Sequence, residues 1–136
     1  MAIFIDTGIF VGARIKEDTN NHFAIQTLKR IRNNEFGAYY TSDYIFDEAI
    51  ILMGARTKRY DLMRDMGEFI LTMPKLNFLY TDQVIFNSAW NIHEKYSDRI
   101  LSFTDASIIA WCESLKIKKV ATIDGHFDGI LQMVKV

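Results

Sequence analysis

The chain has 136 residues, 49% hydrophobic and 24% charged, with a formal net charge of −1. That length fits one compact domain spanning residues 1–136, and that apolar fraction excludes a disordered chain. A single cysteine excludes a disulfide framework, no apolar run reaches the ~18–20 residues of a membrane helix, and the balanced charge leaves no general basic footprint for nucleic acid.

In chain order, residues 1–5 form an apolar run that ends at Asp6. An acid there, with no basic segment before it, argues against a secretory leader; with the lone Cys112 it places the protein in the cytoplasm. Helical periodicity follows near 21–33, then a second apolar run at 36–40 ending at Thr41-Ser42. Helices are expected near 43–56 and 59–72, the latter stopped ahead of Pro74, the chain's one proline. A third run at 76–80 ends at Thr81-Asp82, helices follow near 83–94 and 104–115, and a fourth run at 120–123 ends at Asp124. A last run over 132–136 predicts an edge strand. Short apolar runs bounded by polar residues read as strands covered on both faces, so the alternation predicts an α/β sandwich around a mostly parallel sheet.

Ligands in open α/β sheets bind beyond the carboxyl ends of the strands. Here those ends carry Asp6, Ser42, Asp82 and Asp124. Any one acid there, taken alone, reads first as a solvated turn or cap. Two helices add acids at positions where a core-facing stripe expects an apolar residue. Glu48 fills the gap in Ile45, Leu52 and Ala55, and Asp105 extends Ile108, Cys112 and Leu115 backwards. Asp105 has a structural reading too, because Ser102 stands three residues before it with the spacing of a capping box. Ser42 or Asp43 would cap the helix that carries Glu48, and no Lys or Arg lies between Arg32 and Arg56 to pair with it locally.

Together, Asp6, Glu48, Asp105 and Asp124 are candidates to converge on one edge of the sheet. Clustered carboxylates repel unless a cation neutralises them, and an all-oxygen set favours Mg²⁺ or Mn²⁺. The histidines His22, His93 and His126 are scattered and read as surface or supporting residues. One or two hard ions in such a site suit phosphodiester hydrolysis.

These residues also carry a resemblance. Ile3-Phe4-Ile5-Asp6-Thr7-Gly8-Ile9-Phe10 resembles the opening of PIN-domain ribonucleases, and Thr41-Ser42-Asp43-Tyr44-Ile45-Phe46-Asp47-Glu48 their second element. Leu101-Ser102-Phe103-Thr104-Asp105-Ala106 is similar to the family's most recognisable segment, and Thr122-Ile123-Asp124-Gly125-His126-Phe127-Asp128 to its closing pattern. The resemblance implies a three-layer α/β/α sandwich and Mg²⁺- or Mn²⁺-dependent RNA cleavage. It implies that Asp6, Glu48 and Asp105 ligate metal and that Asp124 completes the acidic pocket. Thr7 would hold a water or a phosphate oxygen beside Asp6, and Asp128 either joins the site or caps the final turn. Small members are often VapBC-type toxins that bind an antitoxin and dimerise.

Arg56, Lys58, Arg59 and Arg64 form the densest basic group, with Arg56 and Arg59 as candidates for positioning RNA; the plainer reading is a solvated helix face. Lys116, Lys118 and Lys119 fall opposite the inferred site edge. Met53, Met63, Met66 and Met73 offer either a partner surface or core, and Trp90 and Trp111 need only packing. A non-catalytic RNA-binding or scaffolding module is the competing function, which the presence of all four acids disfavours. A haloacid-dehalogenase-type phosphatase would need an Asp where Gly8 stands.

Overall fold

The computed structural model describes residues 1–134. The elements run β1 (Ala2–Ile5), α1 (Thr7–Arg14), α2 (Asn21–Arg32), β2 (Ala38–Ser42), α3 (Asp43–Thr57), α4 (Tyr60–Leu71), β3 (Asn77–Leu79), α5 (Gln83–Lys95), a 3₁₀ turn (Ser97–Arg99), α6 (Phe103–Leu115), β4 (Lys119–Ala121) and β5 (Gln132–Met133). The five strands form one sheet in the order β3-β2-β1-β4-β5, and every pairing is parallel. Parallel strands need crossovers, which are right-handed in nearly all proteins. The chain therefore winds outward through β1, β2 and β3 with α1–α4 on one face, then returns to β4 with α5 and α6 on the other. The helix contacts agree: α1 touches α2, α3 and α4, while α5 packs on α6. The result is the expected three-layer sandwich.

The expected strands recur with small shifts. The run 36–40 begins two residues early, because Gly37 (φ +77°) makes the turn into β2 at Ala38. A Cβ on Gly37 would stand 2.2 Å from the Met1 carbonyl oxygen, so only glycine fits there. The edge strand expected over 132–136 is present at Gln132–Met133, and residues 135–136 of that run lie outside the described residues. Two elements were not expected: the Ser97–Arg99 turn and α1. Helix α1 has the sequence TGIFVGAR, in which two glycines and a continuous apolar stretch hide any helical period. It forms because Ile9, Phe10 and Val11 are all buried and because Gly12 lets α2 approach, a Cβ there falling 3.3 Å from that of Ala24.

The core centres on β1, whose Ile3, Phe4 and Ile5 are wholly buried. At ~1.5–3 kcal/mol for each such side chain, this strand cannot shift register without large loss. Met53, Met66 and Met73 are buried, so the core reading of the methionines holds for these three. Trp111 is buried as well, whereas Trp90 is 52% exposed, stacked on His93 and in ring contact with Phe103. No helix among the described residues is long and apolar enough to cross a membrane.

Ser42 is the residue before α3, yet its side chain makes no capping bond and its Oγ is buried without a hydrogen-bond partner among the described residues. Asp43 takes over the polar work at this corner, accepting from the Tyr44 N–H (3.0 Å), the Thr81 N–H (3.1 Å) and the Thr81 hydroxyl (2.7 Å). Replacing a capping serine by alanine ordinarily costs ~1 kcal/mol, whereas removing an unsatisfied buried hydroxyl recovers about that much. Ser42→Ala is therefore expected to leave stability unchanged or raise it by up to ~1 kcal/mol in a urea melt. A loss of ~1 kcal/mol or more would show that the hydroxyl is satisfied in solution.

Candidate active site

The strand order reverses direction at β1 and β4, the place where open α/β sheets form their clefts. A cavity of about 560 Å³ opens there, and Asp6, Glu48, Asp105 and Asp124 all line it. They arrive from four separate segments: the end of β1, the second turn of α3, the first turn of α6 and the loop after β4.

Asp6 ends β1 and caps α1. Its Oδ1 accepts the Thr7 N–H at 2.7 Å and its Oδ2 accepts the Thr122 hydroxyl at 2.8 Å, tying β1 to β4 at the cavity floor. Burial pushes the Asp6 carboxyl up to about 7; the Thr122 and Thr7 donors oppose this, and the charges of Asp124 and Asp105 add to it.

Glu48 finds a neutral partner where the sequence offered no cation: the Thr7 hydroxyl donates to its Oε1 at 2.5 Å. Thr7 thus spends its proton on Glu48. The stripe inferred for this helix needs correction. The buried line of α3 is Ile45, Ala49 and Met53, and Ala55 is exposed, so Glu48 stands at the margin of the core beside Leu52.

Asp105 is buried, caps α6 and also lines the cavity. Its backbone N–H donates to Ser102 Oγ at 3.0 Å while its own Oδ2 accepts the Ser102 N–H at 3.3 Å, a complete capping box. The same Oδ2 lies 2.9 Å from His126 Nδ1. Of its supposed stripe, Ile108 and Cys112 are buried, but Leu115 is exposed; α6 is enclosed on nearly every side from Asp105 to Cys112.

Asp124 is exposed and accepts the His126 N–H at 3.0 Å, with the His126 ring nitrogen 3.5 Å away. His126 therefore bridges two of the four acids, a role that isolated histidines in a sequence do not announce. Desolvation lowers its pKa, but the Asp105 hydrogen bond and the charges of Asp124, Asp105 and Asp6 outweigh that and leave it above its ordinary value. Thr122 was likewise visible only as part of a motif.

The basic group divides. Arg56 lines the cavity and pairs with Asp18, and it is the one arginine or lysine on that wall among the described residues. Arg59 pairs with Asp61 in solvent, and Arg64 lies in a groove between α3 and α4. Asp128 is exposed and off the cavity wall; its carbonyl, rather than its carboxyl, is engaged, by Arg99. Asp82 caps α5 by accepting the Ile85 N–H at 2.9 Å.

The four acids line one cavity from separate segments without closing on one point. Among the described residues no group of three His, Cys, Asp or Glu side chains is arranged to hold a metal ion as it stands. The donor chemistry nonetheless suits a hard cation. Four carboxylates meet in one cavity, each oriented by neutral donors or by His126, and Asp6 is held near neutrality by burial.

Because the folded Asp6 carboxyl titrates near 7 against an ordinary 3.8, the folded state holds a proton that the unfolded chain has released between those pH values. Stability of the metal-free protein should fall as pH rises through that window. Asp6→Asn in EDTA should then melt above wild type at pH 8, with the gap closing towards pH 4. A variant that melts below wild type at pH 8 would contradict the assignment.

A family model described as PIN domain matches residues 3–130. A VapC ribonuclease of Archaeoglobus fulgidus is 25% identical over 122 residues, covering 89% of this chain and 76% of its own. Among solved structures, the sarcin-ricin loop cleaving toxin VapC20 of Mycobacterium tuberculosis superposes with a TM-score of 0.79 at 20% identity, covering 92% of each chain. FitAcB from Neisseria gonorrhoeae gives 0.67 at 16% identity over 98% of this chain and 96% of its own. A toxin–antitoxin complex from Klebsiella pneumoniae gives 0.66 at 18%, covering 99% and 97%.

Proposed function

The chain belongs to the PIN domain family, and from that premise we propose that it is a Mg²⁺- or Mn²⁺-dependent endoribonuclease, a single cytoplasmic nuclease domain and the toxin half of a toxin–antitoxin pair. The observation that carries this is the convergence of Asp6, Glu48, Asp105 and Asp124 on one cavity at the sheet's reversal point. A wall of four acids repels a polyanion unless cations occupy it, so a site built this way fits metal-assisted phosphodiester chemistry.

In this reading Asp6, Glu48, Asp105 and Asp124 are the residues that would hold one or two ions. When bound, the ion lowers the pKa of a water and polarises a phosphoryl oxygen. The protein's own residues set the geometry. Thr122 and the Thr7 amide orient Asp6, Thr7 Oγ1 orients Glu48, and His126 with Ser102 orients Asp105. Arg56, which lines the same cavity from α3, takes a phosphate oxygen of the RNA in exchange for part of its contact with Asp18. Arg59 and the Asp128 carboxyl lie off this wall and have no part in the proposal.

The relatives support the substrate and partner: one is a ribonuclease, one cleaves the sarcin-ricin loop, and one was solved as a toxin–antitoxin complex. An antitoxin is the proposed partner in the cell. A second copy of the chain is also proposed, supported by the exposed aromatic ridge of Phe86 and Trp90 on α5, which continues into Phe103.

The test is cleavage of a mixed RNA panel with Mn²⁺, Mg²⁺ or EDTA, with Asp105→Asn purified alongside. Loss of a direct ligand should lower the metal-dependent rate at least ~100-fold, beyond what loss of a supporting residue costs. Saturating Mn²⁺ should raise the wild-type melting temperature by roughly 5–15 °C, and that shift should shrink in the variant. RNA binding without metal-dependent cleavage would favour the non-catalytic module instead.

A further inference from the structure

The stretch of cavity wall that carries Asp124 and His126 belongs to no helix or strand. Between β4 and β5 the backbone makes a series of turns, with the Asp128 N–H on the Gly125 carbonyl (3.1 Å) and the Ile130 N–H on the Phe127 carbonyl (2.9 Å). On the inside, the fully buried Phe127 anchors it. On the outside, Arg99 holds it. Arg99 Nη1 donates to the Asp128 carbonyl at 2.6 Å and to the His126 carbonyl at 3.3 Å.

The guanidinium is itself steadied. It lies over the Tyr96 ring, 5.8 Å from the centroid, and its Nη2 is 3.5 Å from where a Cβ on Gly129 would stand. Gly129 has φ +79°, so the loop takes a bend there that favours glycine and that brings the carbonyls round to Arg99. Arg99 also ends the 3₁₀ turn immediately before Ile100, Leu101 and Ser102, which form another part of the cavity wall. One side chain thus joins two walls that the sheet does not connect.

We propose that Arg99 is a positioning residue for the carboxylate cavity: by holding the His126 and Asp128 carbonyls it sets the aim of Asp124 and His126. The inference rests on the nuclease reading for its consequence in catalysis, but not for its structural content. The His126 N–H is bonded to the Asp124 carboxylate and the His126 ring to Asp105, so freeing the loop loosens the orientation of both acids. Arg99 is exposed, and a solvated hydrogen bond adds little to global stability. Its effect should therefore appear locally.

Two variants of the full chain separate the possibilities. Arg99→Met keeps an apolar stem on Tyr96 and removes the donors. Arg99→Lys restores a single nitrogen with three donors, and one nitrogen makes both bonds in the native protein. In metal-free protein without RNA, Arg99→Met should speed amide exchange at His126 and Asp128 about tenfold while leaving α2 unchanged. It should also move the His126 ring ¹⁵N signals. Calorimetric titration with Mn²⁺ should show a severalfold weaker affinity, and Arg99→Lys should restore all three readouts.

Unchanged exchange and ring signals in Arg99→Met would overturn the proposal. So would a loosened loop with unchanged Mn²⁺ affinity, since Asp124 would then not depend on the tie. Failure of wild type to bind Mn²⁺ or cut RNA would strike the nuclease reading instead, and the exchange measurement would still decide whether Arg99 holds the loop.

Discussion

The carboxyl edge of this sheet depends on one carboxylate taken out of water. Asp6 follows three wholly buried residues of β1, and its position in the fold admits little solvent. The two hydrogen bonds it accepts, from the Thr7 amide and the Thr122 hydroxyl, partly replace hydration. They do not cancel the desolvation cost, and the nearby charges of Asp124 and Asp105 increase it. A buried acid with this balance is held close to neutrality until positive charge arrives. The arrangement sacrifices stability at the place where the proposed chemistry needs a poised oxygen donor.

The rest of the edge follows from what surrounds Asp6. Each of the other acids is placed by an element whose apolar residues fix it and is oriented by a neutral or switchable donor. Core contacts of Ile45, Ala49 and Met53 fix α3, and Thr7 then turns Glu48. The enclosure of α6 fixes Asp105, with Ser102 holding its backbone end and His126 its far oxygen. Asp124 is the exception, because it stands in a loop with one buried anchor, Phe127, and one external tie, Arg99. Packing thus sets three acids, while a solvent-facing guanidinium governs the fourth.

Much of this was legible from residue order. Continuous apolar runs marked four strands because parallel strands are covered on both faces, the short run over 132–136 marked the fifth, and the acids at the strand ends pointed to the edge where the cavity opens. Helix α1 was not legible, since Thr7–Arg14 folds as a helix through burial against α2 and α3 rather than through propensity. The stripe argument placed Glu48 on the wrong face: Ala55 is solvent-facing, and Glu48 reaches the cavity from the margin of the core. For Asp105 the capping and cavity readings competed as alternatives, and the structure satisfies both, because a first-turn acid can cap with one oxygen while facing a cleft. His126 and Arg99 act through contacts between segments distant in sequence, for which a single chain carries no periodic signal.

The most direct measurement is the titration of the Asp6 carboxyl itself, followed by its ¹³C signal first in EDTA and then with Mg²⁺. A midpoint near 7 is expected without metal. A fall of at least two pH units on adding Mg²⁺ is expected if the ion binds the carboxylate, since each unit reflects about 1.36 kcal/mol of preference for the charged form. A midpoint near the ordinary 3.8 in EDTA, unmoved by Mg²⁺, would contradict both the buried acid and the metal site built around it.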